Sequence, residues 1–231
     1  MTICRYARDG MTIRLSEARE LLNKIKQEEF QDNGPYPPNS FTLTLRGLIY
    51  VSLYGAIEYA VTHGVQGFIN NLCSLKVSTK HLEYSLYSIA LDSPLTSARS
   101  AGEKKKWEAR RTIFSGLNSG SDCLISDTVF GTFLHNIYPK TILEVFMCLG
   151  IGKPATASER DVLYLKEITE KRNAVAHGRE AASDAGAGLT HQDIEARLNA
   201  AYSIGSYFLD TVEDHALTLR FVRPRYRSGY R

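Results

Sequence analysis

The segment 41–72 limits the fold of this chain more than any other. Its apolar residues recur every three or four positions, which is the spacing of a helix with one wide apolar face. These residues are Leu45, Leu48, Ile49, Leu53, Ile57, Val61, Val65, Phe68, Ile69 and Leu72. The segment therefore predicts a long core helix. No convincing two-residue alternation bounded by hairpin turns occurs elsewhere, so we predict an all-α fold.

Other periodic segments predict shorter helices. An amphipathic helix is expected over 13–30, and the proline-rich segment 33–40 ends it because proline removes backbone donors. Further helices are expected over 79–90, where Asp92-Ser93-Pro94 ends the helix, around 103–117, and over 139–149, 158–177 and 190–212, with an alanine- and glycine-rich loop at 183–189. Ser158 and Thr190 are placed to cap the last two helices.

The chain is expected to form one domain. Its 231 residues are 43% hydrophobic, which is enough for one sizeable core. We assign residues 1–219 to this domain and treat the polar, irregular stretch 92–127 as a candidate insertion. Residues 220–231 are interpreted as a basic C-terminal tail, in which Pro224 blocks regular helix.

The spacing of cysteines and histidines argues against a metal centre and against a disulfide framework. The cysteines are far apart and form no C-x-x-C pair. They are Cys4, Cys73, Cys123 and Cys148. The histidines without metal-ligand spacing to cysteines or carboxylates are His81, His135, His191 and His215. We therefore expect reduced thiols, no metal and no cofactor, and we give none of these histidines a functional role.

Membrane insertion and secretion are not expected. The N-terminus carries several charges and never builds the apolar region of a signal peptide. The most apolar stretch, 47–57, is about half as long as a bilayer-spanning helix requires. A cytoplasmic location is therefore expected. The formal charge of +3, from 28 basic and 25 acidic residues, is too small to identify a nucleic-acid partner.

The segment Arg172-Asn173-Ala174-Val175-Ala176-His177 is best suited to chemistry. It ends a predicted helix, and its small residues leave room for a polyanion. Histidine titrates near neutral pH, so His177 is suited to remove a 2′-hydroxyl proton or to protonate a 5′-oxygen leaving group. The planar fork of Arg172 matches the oxygens of a phosphorane. Asn173 shares a helix face with His177 and is suited to orient it or to hold the phosphate.

A purely structural interpretation of these residues stays open. Arg172 can pair with Glu167 or Glu170 on the helix surface, and His177 can simply favour the helix C-terminus through the macrodipole. Glu58 interrupts the apolar face of the long helix. If it is buried it needs a partner, for which Arg172 or His177 would serve; at an exposed edge it has no further role.

The spacing from Arg172 to His177 resembles the R-x4-6-H motif of HEPN ribonucleases, including the polar residue directly after the arginine. The apolar helix with Glu58 embedded in it is similar to a helix of small standalone HEPN families of bacterial toxin–antitoxin and defence loci. The resemblance covers about 45–61 and 159–208. It implies a HEPN-like antiparallel helical bundle, here with extra helices inserted in the middle, that dimerises and cuts RNA to leave a cyclic phosphate end.

Two basic clusters are candidates for RNA binding, since cations bind phosphates and aromatic rings stack on bases. The first cluster contains Lys104, Lys105, Lys106, Trp107, Arg110 and Arg111. Its alternative is a solvated helix face, because acidic residues accompany it. The second cluster contains Arg220, Arg223, Arg225, Tyr226, Arg227, Tyr230 and Arg231. Its alternative is a disordered solubilising tail.

These observations predict a metal-independent endoribonuclease that cleaves single-stranded RNA by 2′-hydroxyl attack and acts as a toxin or antiviral-defence effector. Arg172, His177 and Asn173 are the predicted catalytic residues, and Glu58 supports them. Because one copy of the motif supplies one histidine for two proton transfers, we expect a homodimer, or a heterodimer with a second HEPN subunit. A cognate antitoxin is a further expected partner. The alternative is a non-catalytic HEPN-like helical module that binds a partner protein, a nucleotide or RNA.

Overall fold

The computed structural model describes residues 2–31 and 38–231, without the side chains of Phe30 and Gln31. Within these residues the chain is all-α, as predicted, and contains no β-strand. The α-helices are α1 (Arg5–Gln31), α2 (Ser40–Ser74), α3 (Tyr87–Ala90), α4 (Asp92–Ser100), α5 (Lys106–Leu117), α6 (Pro139–Leu149), α7 (Glu159–Ala176), α8 (Ala182–Gly186) and α9 (His191–Leu217). Short 3-10 segments occur at Thr79–His81, Tyr84–Leu86, Gly131–His135 and Pro224–Tyr230. The sequence predicts a helix break at 33–40, and residues 33–37 of this segment lie outside the described residues.

Helix α2 is the central element of the bundle. It starts where the Asn39 side chain accepts a hydrogen bond from the backbone N–H of Thr42, and it packs against α1, α7, α8 and α9. By length and composition alone α2 could cross a membrane. The sequence prediction had considered only the apolar stretch 47–57, which is too short to span a bilayer. Half of its most apolar 18-residue window is buried inside the fold, as in the core helix of a bundle. The predicted core helix is confirmed.

A row of four polar side chains runs along α2 at four-residue spacing. The polar row consists of Arg46, Tyr50, Tyr54 and Glu58. Buried polar groups require partners, so each member of the row selects a neighbouring element. Arg46 donates to Glu29 of α1 at 2.7 Å, and Tyr50 donates to Glu167 of α7 at 2.6 Å. The row therefore helps to decide which helix covers which part of α2.

Helix α8 occupies the first part of the loop that the sequence predicts at 183–189, so the prediction is wrong for 183–186, while 187–189 form no helix. The backbones of α8 and α2 are in direct contact: a Cβ at Gly47 would overlap the Ala182 carbonyl, and a Cβ at Gly186 would overlap the Leu43 carbonyl. Only glycine permits such an approach. A five-residue helix is unstable alone, and packing against α2 is what stabilises this one.

Helix α1 starts earlier than the sequence predicts, at Arg5 rather than at residue 13. Cys4, Ala7 and Met11 extend its apolar stripe and are each 1% exposed. Their burial stabilises the additional helical turns.

The segment 79–90 does not form the single helix that the sequence predicts. It contains two 3-10 segments followed by the short helix α3. The backbone N–H groups of Thr79, Lys80 and Glu83 donate to carbonyls of other segments, so they do not form helical hydrogen bonds. Asp92-Ser93-Pro94 was expected to end a helix and instead begins α4, because proline is tolerated in a first turn.

The C-terminal segment 220–231, which we interpreted from the sequence as a basic tail, is folded against the 78–91 region. Phe221 and Val222 are fully buried, and Val222 forms a bridge with Leu82. The Tyr230 hydroxyl accepts a hydrogen bond from the Ser78 backbone N–H at 3.0 Å. Apolar residues within the basic sequence therefore attach it to the core.

Helices α4 and α5 lie in the predicted insertion, pack against each other and have no buried residue.

Replacing Gly47 by alanine is expected to lower the free energy of unfolding by about 1–3 kcal/mol, because the new methyl group pushes α8 away from α2. The matched control is Gly55→Ala on the same helix, where a Cβ would meet no atom within 4 Å. There alanine should stabilise the helix by up to about 1 kcal/mol. Urea unfolding followed by circular dichroism measures both variants. Equal midpoints for the two would contradict the close packing of α8.

His215 near the end of α9 is a second test of the core. It is 4% exposed beside Phe68 and Phe221, and its Nε2 has no hydrogen-bond partner among the described residues. Burial disfavours the charged imidazolium and lowers the pKa of His215 to about 4.

The chain should lose stability as the pH falls from about 6.5 to about 4. In this window the unfolded state binds a proton at position 215 and the folded state does not, so acidification favours unfolding. The contribution is at most about 3 kcal/mol at pH 4. His215→Phe lacks this proton, so its free energy of unfolding should depend less on pH. Denaturant titrations at pH 7, 5.5 and 4.5 compare the slopes, and identical slopes would contradict the buried neutral histidine.

Candidate active site

The end of α7 carries the Arg172 to His177 motif. The helix begins at the Ser158 cap, whose hydroxyl accepts from the Asp161 backbone N–H, and His177 caps its C-terminus. Gly178 follows with φ +67°, a left-handed conformation that glycine adopts readily. The chain therefore turns away directly after His177, as predicted, and the end of α7 stays open to solvent.

Arg172 is held by three groups at once. Its guanidinium carbon lies 3.9 Å from the centroid of the Tyr54 ring. One terminal nitrogen donates to the Asn173 side-chain oxygen at 2.7 Å, and the other lies 3.6 Å from a carboxylate oxygen of Glu58. A stacked ring, an amide and a carboxylate together fix a long side chain in one orientation.

The surface pairing of Arg172 with Glu167 or Glu170 is absent from the structure. Glu167 accepts from Arg197 at 2.7 Å and is thereby occupied. Glu170 lies 3.9 Å from Lys166 on the exposed face of α7. The guanidinium of Arg172 points instead towards α2.

Glu58 is half-buried at the end of the polar row. Burial raises the pKa of Glu58 above its ordinary value, whereas the charge of Arg172, the Tyr54 hydroxyl and the charge of His135 lower it. The carboxylate therefore lies close to the Arg172 guanidinium. A role at an exposed helix edge does not match this position.

The turn at 135–137 lies against the site, and no sequence signal connects it with the motif. The Tyr54 hydroxyl donates to the His135 carbonyl at 3.0 Å and accepts from the Ile137 backbone N–H at 3.0 Å. The Asn173 side chain donates to the Asn136 side chain at 3.0 Å. Burial raises the pKa of Tyr54 to about 12, so this hydroxyl stays protonated at neutral pH.

The structure brings Arg172, Asn173 and Glu58 together, but it does not bring the His177 imidazole into contact with them. The His177 side chain is exposed and makes no hydrogen bond, ion pair or ring contact within the described part of the chain. Its backbone N–H donates to the Asn173 carbonyl at 3.1 Å, which places it one turn beyond Asn173. The imidazole is thus exposed to solvent, five residues beyond the arginine whose guanidinium is fixed.

The first basic cluster lies before and within α5. Lys104 and Lys105 are exposed, and Trp107 is 66% exposed. Lys106 donates to Glu103 at 2.9 Å, and Arg110 lies over the Trp107 ring at 5.0 Å. An acidic neighbour therefore occupies one of the three lysines, while the indole ring remains accessible.

The second basic cluster is largely engaged within the fold. Arg223 donates to the Tyr87 hydroxyl at 3.2 Å, and Arg227 donates to the Val222 carbonyl at 2.7 Å. Arg220 pairs with Asp214 at 3.3 Å.

The aromatic ring of this cluster is also occupied on one side. Tyr226 stacks on His81, with the ring centroids 3.8 Å apart, and Arg225 lies 4.7 Å from the centroid of Tyr226. Arg225 makes no ion pair with any described residue.

Within residues 2–31 and 38–231, no group of three or more His, Cys, Asp or Glu side chains is arranged to hold a metal ion. At the end of α7 the group suited to an anion is the Arg172 guanidinium, because the Asn173 amide is buried and already bonds to Arg172 and Asn136. An oxyanion such as a phosphodiester fits this guanidinium better than a cation does.

The comparison with protein families matches this chain to the family described as RiboL-PSP-HEPN over residues 13–214. Neither the curated proteins nor the solved structures contain a match. The matched range runs from α1 to the last turn of α9 and includes both Glu58 and the whole motif. Family match, helical architecture and motif agree, and the chain belongs to the RiboL-PSP-HEPN family of the HEPN superfamily.

Proposed function

We propose that this protein is a metal-independent endoribonuclease that cleaves single-stranded RNA. The observation that carries the proposal is the fixed guanidinium of Arg172 together with the exposed side chain of His177, five residues further along the same helix end. Membership of the HEPN superfamily, whose domains are often ribonucleases, supports it. The biological role proposed is that of a toxin or an antiviral-defence effector.

The proposed reaction uses the substrate's own nucleophile. The 2′-oxygen forms a bond to phosphorus while its proton passes to an imidazole, and the bond between phosphorus and the 5′-oxygen breaks. A second group donates a proton to that 5′-oxygen. The products are a 2′,3′-cyclic phosphate and a 5′-hydroxyl end, and no further reactant is consumed.

Arg172 would stabilise the negative charge that develops on the non-bridging oxygens. A guanidinium whose orientation is already fixed loses little entropy on binding the phosphate. Glu58 and Tyr54 provide this fixation from α2, and Asn173 provides it from α7. In this scheme Glu58 supports Arg172 and does not act on the substrate.

Pairing of two copies, or of one copy with a second HEPN subunit, is proposed as the way to supply a second histidine. A cognate antitoxin is proposed to control the activity. Both proposals follow from the chemistry of the motif and from the family resemblance.

Cleavage of single-stranded RNA in EDTA is the direct test. His177→Ala should reduce the rate roughly 10²- to 10⁴-fold by removing an acid–base group. Arg172→Ala should reduce it about 10²- to 10³-fold by removing charge stabilisation. Products should carry cyclic phosphate ends.

Matched controls separate chemistry from folding. Arg179→Ala removes an exposed arginine just beyond the motif, and His63→Gln removes a histidine that bonds to Gln66 on α2. Both should leave the rate nearly unchanged, and thermal unfolding should show that all four variants are folded. RNA binding without cleavage by the unaltered chain would instead favour a non-catalytic RNA-binding module.

A further inference from the structure

A short backbone pairing joins the C-terminal segment to the 78–91 region. The Arg223 backbone N–H donates to the His81 carbonyl at 2.9 Å. Directly beside this hydrogen bond, Val222 forms a bridge with Leu82, and both side chains are fully buried. The pairing is therefore part of the core, and it gives the neighbouring residues of both segments fixed positions.

Aromatic rings and guanidinium groups alternate next to this pairing. The Arg223 guanidinium carbon lies 5.1 Å from the centroid of the Tyr84 ring and 5.8 Å from that of the Tyr226 ring. Arg225 lies over the Tyr226 ring at 4.7 Å. All three distances are within the range of about 6 Å over which a cation is attracted to an aromatic ring. These four side chains, Tyr84, Arg223, Tyr226 and Arg225, form a cation–π ladder.

The two inner members of the ladder are fixed by further contacts. Tyr226 stacks on His81, with the ring centroids 3.8 Å apart, and Arg223 donates to the Tyr87 hydroxyl at 3.2 Å. The Tyr87 hydroxyl donates in turn to the Leu117 carbonyl at 3.2 Å, which attaches the ladder to the end of α5. Because His81 already covers one face of Tyr226, this ring is suited to hold its neighbours in place.

The outer ring of the ladder, Tyr84, is accessible. Its side chain is 72% exposed, and its hydroxyl makes no hydrogen bond with any described residue. Arg223 holds the ring, and the exposed remainder offers a flat surface on which a planar group can stack. The sequence alone does not associate Tyr84 with a basic cluster, because the arginines next to it come from the other end of the chain.

The charge around the ladder is positive and is not neutralised by ion pairs. Within the part of the chain that the structure describes, Lys80, Arg223 and Arg225 form no salt bridge. The nearest carboxylate in the sequence, Glu83, lies 3.7 Å from Arg227 and is thereby engaged. Three cations therefore remain available to an anionic partner.

We propose that the cation–π ladder is a binding surface for single-stranded RNA, on which Tyr84 stacks against a base and the free cations contact phosphates. This inference rests on the proposed function, since it takes the substrate of that reaction as the ligand. A single strand combines accessible base faces with a negatively charged backbone, which is what an exposed ring among cations fits. An acidic peptide would use the cations and leave the ring unoccupied.

The test uses a single-stranded oligonucleotide whose 2′-hydroxyls are methylated, because the proposed reaction cannot cleave it. Tyr84→Ala should weaken its binding roughly 5- to 100-fold through the loss of one stacked base, as measured by fluorescence anisotropy. Tyr84→Phe retains the ring and should bind within about twofold of the unaltered chain. Tyr202→Ala on α9 removes another exposed tyrosine and should bind normally. Thermal unfolding should show all three variants folded.

A duplex of the same sequence separates stacking from charge. Base faces in a duplex are already stacked on one another, so Tyr84→Ala should leave the affinity for the duplex nearly unchanged. Arg225→Ala should weaken binding of both forms, and for the single strand it should reduce the salt dependence of log affinity by about 0.7. An equal loss of affinity for both forms in Tyr84→Ala would contradict stacking on a base.

Normal binding of the single strand by Tyr84→Ala would overturn the inference. It would leave the proposed function intact where the unaltered chain still cleaves unmethylated RNA in EDTA. Binding that requires Tyr84 without any cleavage would support the surface and contradict the proposed function. Competition by polyglutamate as strong as that by the oligonucleotide would show recognition of charge alone and would also overturn the inference.

Discussion

The polar row on α2 is the constraint on which the rest of the structure depends. An apolar helix that carries polar groups into a core must provide each with a partner, because an unpaired buried group costs about 1–3 kcal/mol. Arg46 finds its partner on α1, Tyr50 on α7 and α9, Tyr54 on the turn before α6, and Glu58 on α7. The same pairs that satisfy the row therefore select the neighbours of α2.

The candidate site is the open end of that row. Tyr54 and Glu58 belong to the packing of the bundle, yet both also orient Arg172, and Tyr54 bonds to the turn at 135–137. The groups that hold the site are buried or half-buried, and the His177 imidazole remains exposed. For the proposed reaction, this division would keep the fold rigid where charge is positioned and accessible where protons move.

The basic residues outside the site form two groups: some bond to other residues of the fold, and others are exposed. In the C-terminal segment most arginines bond to carbonyls, hydroxyls or carboxylates of the fold, so their first role is to attach that segment. Arg225, Lys104 and Lys105 make no ion pair with any residue that the structure describes, and the ring of Trp107 is exposed. We propose that these residues, more than the segment as a whole, offer contacts to an RNA backbone and bases.

The sequence by itself determines the helices whose signals are local. The core helix, the caps at Ser158 and Thr190, and the glycine stop after His177 each depend on residues within a few positions of one another. The motif could be found in the same way. Tertiary structure alone decides α8, the 78–91 region, the folded C-terminal segment and the position of the turn at 135–137. Those features depend on contacts between segments far apart in the chain, such as glycine against backbone and hydroxyl against carbonyl, whose free energy has no counterpart in local propensity or periodicity.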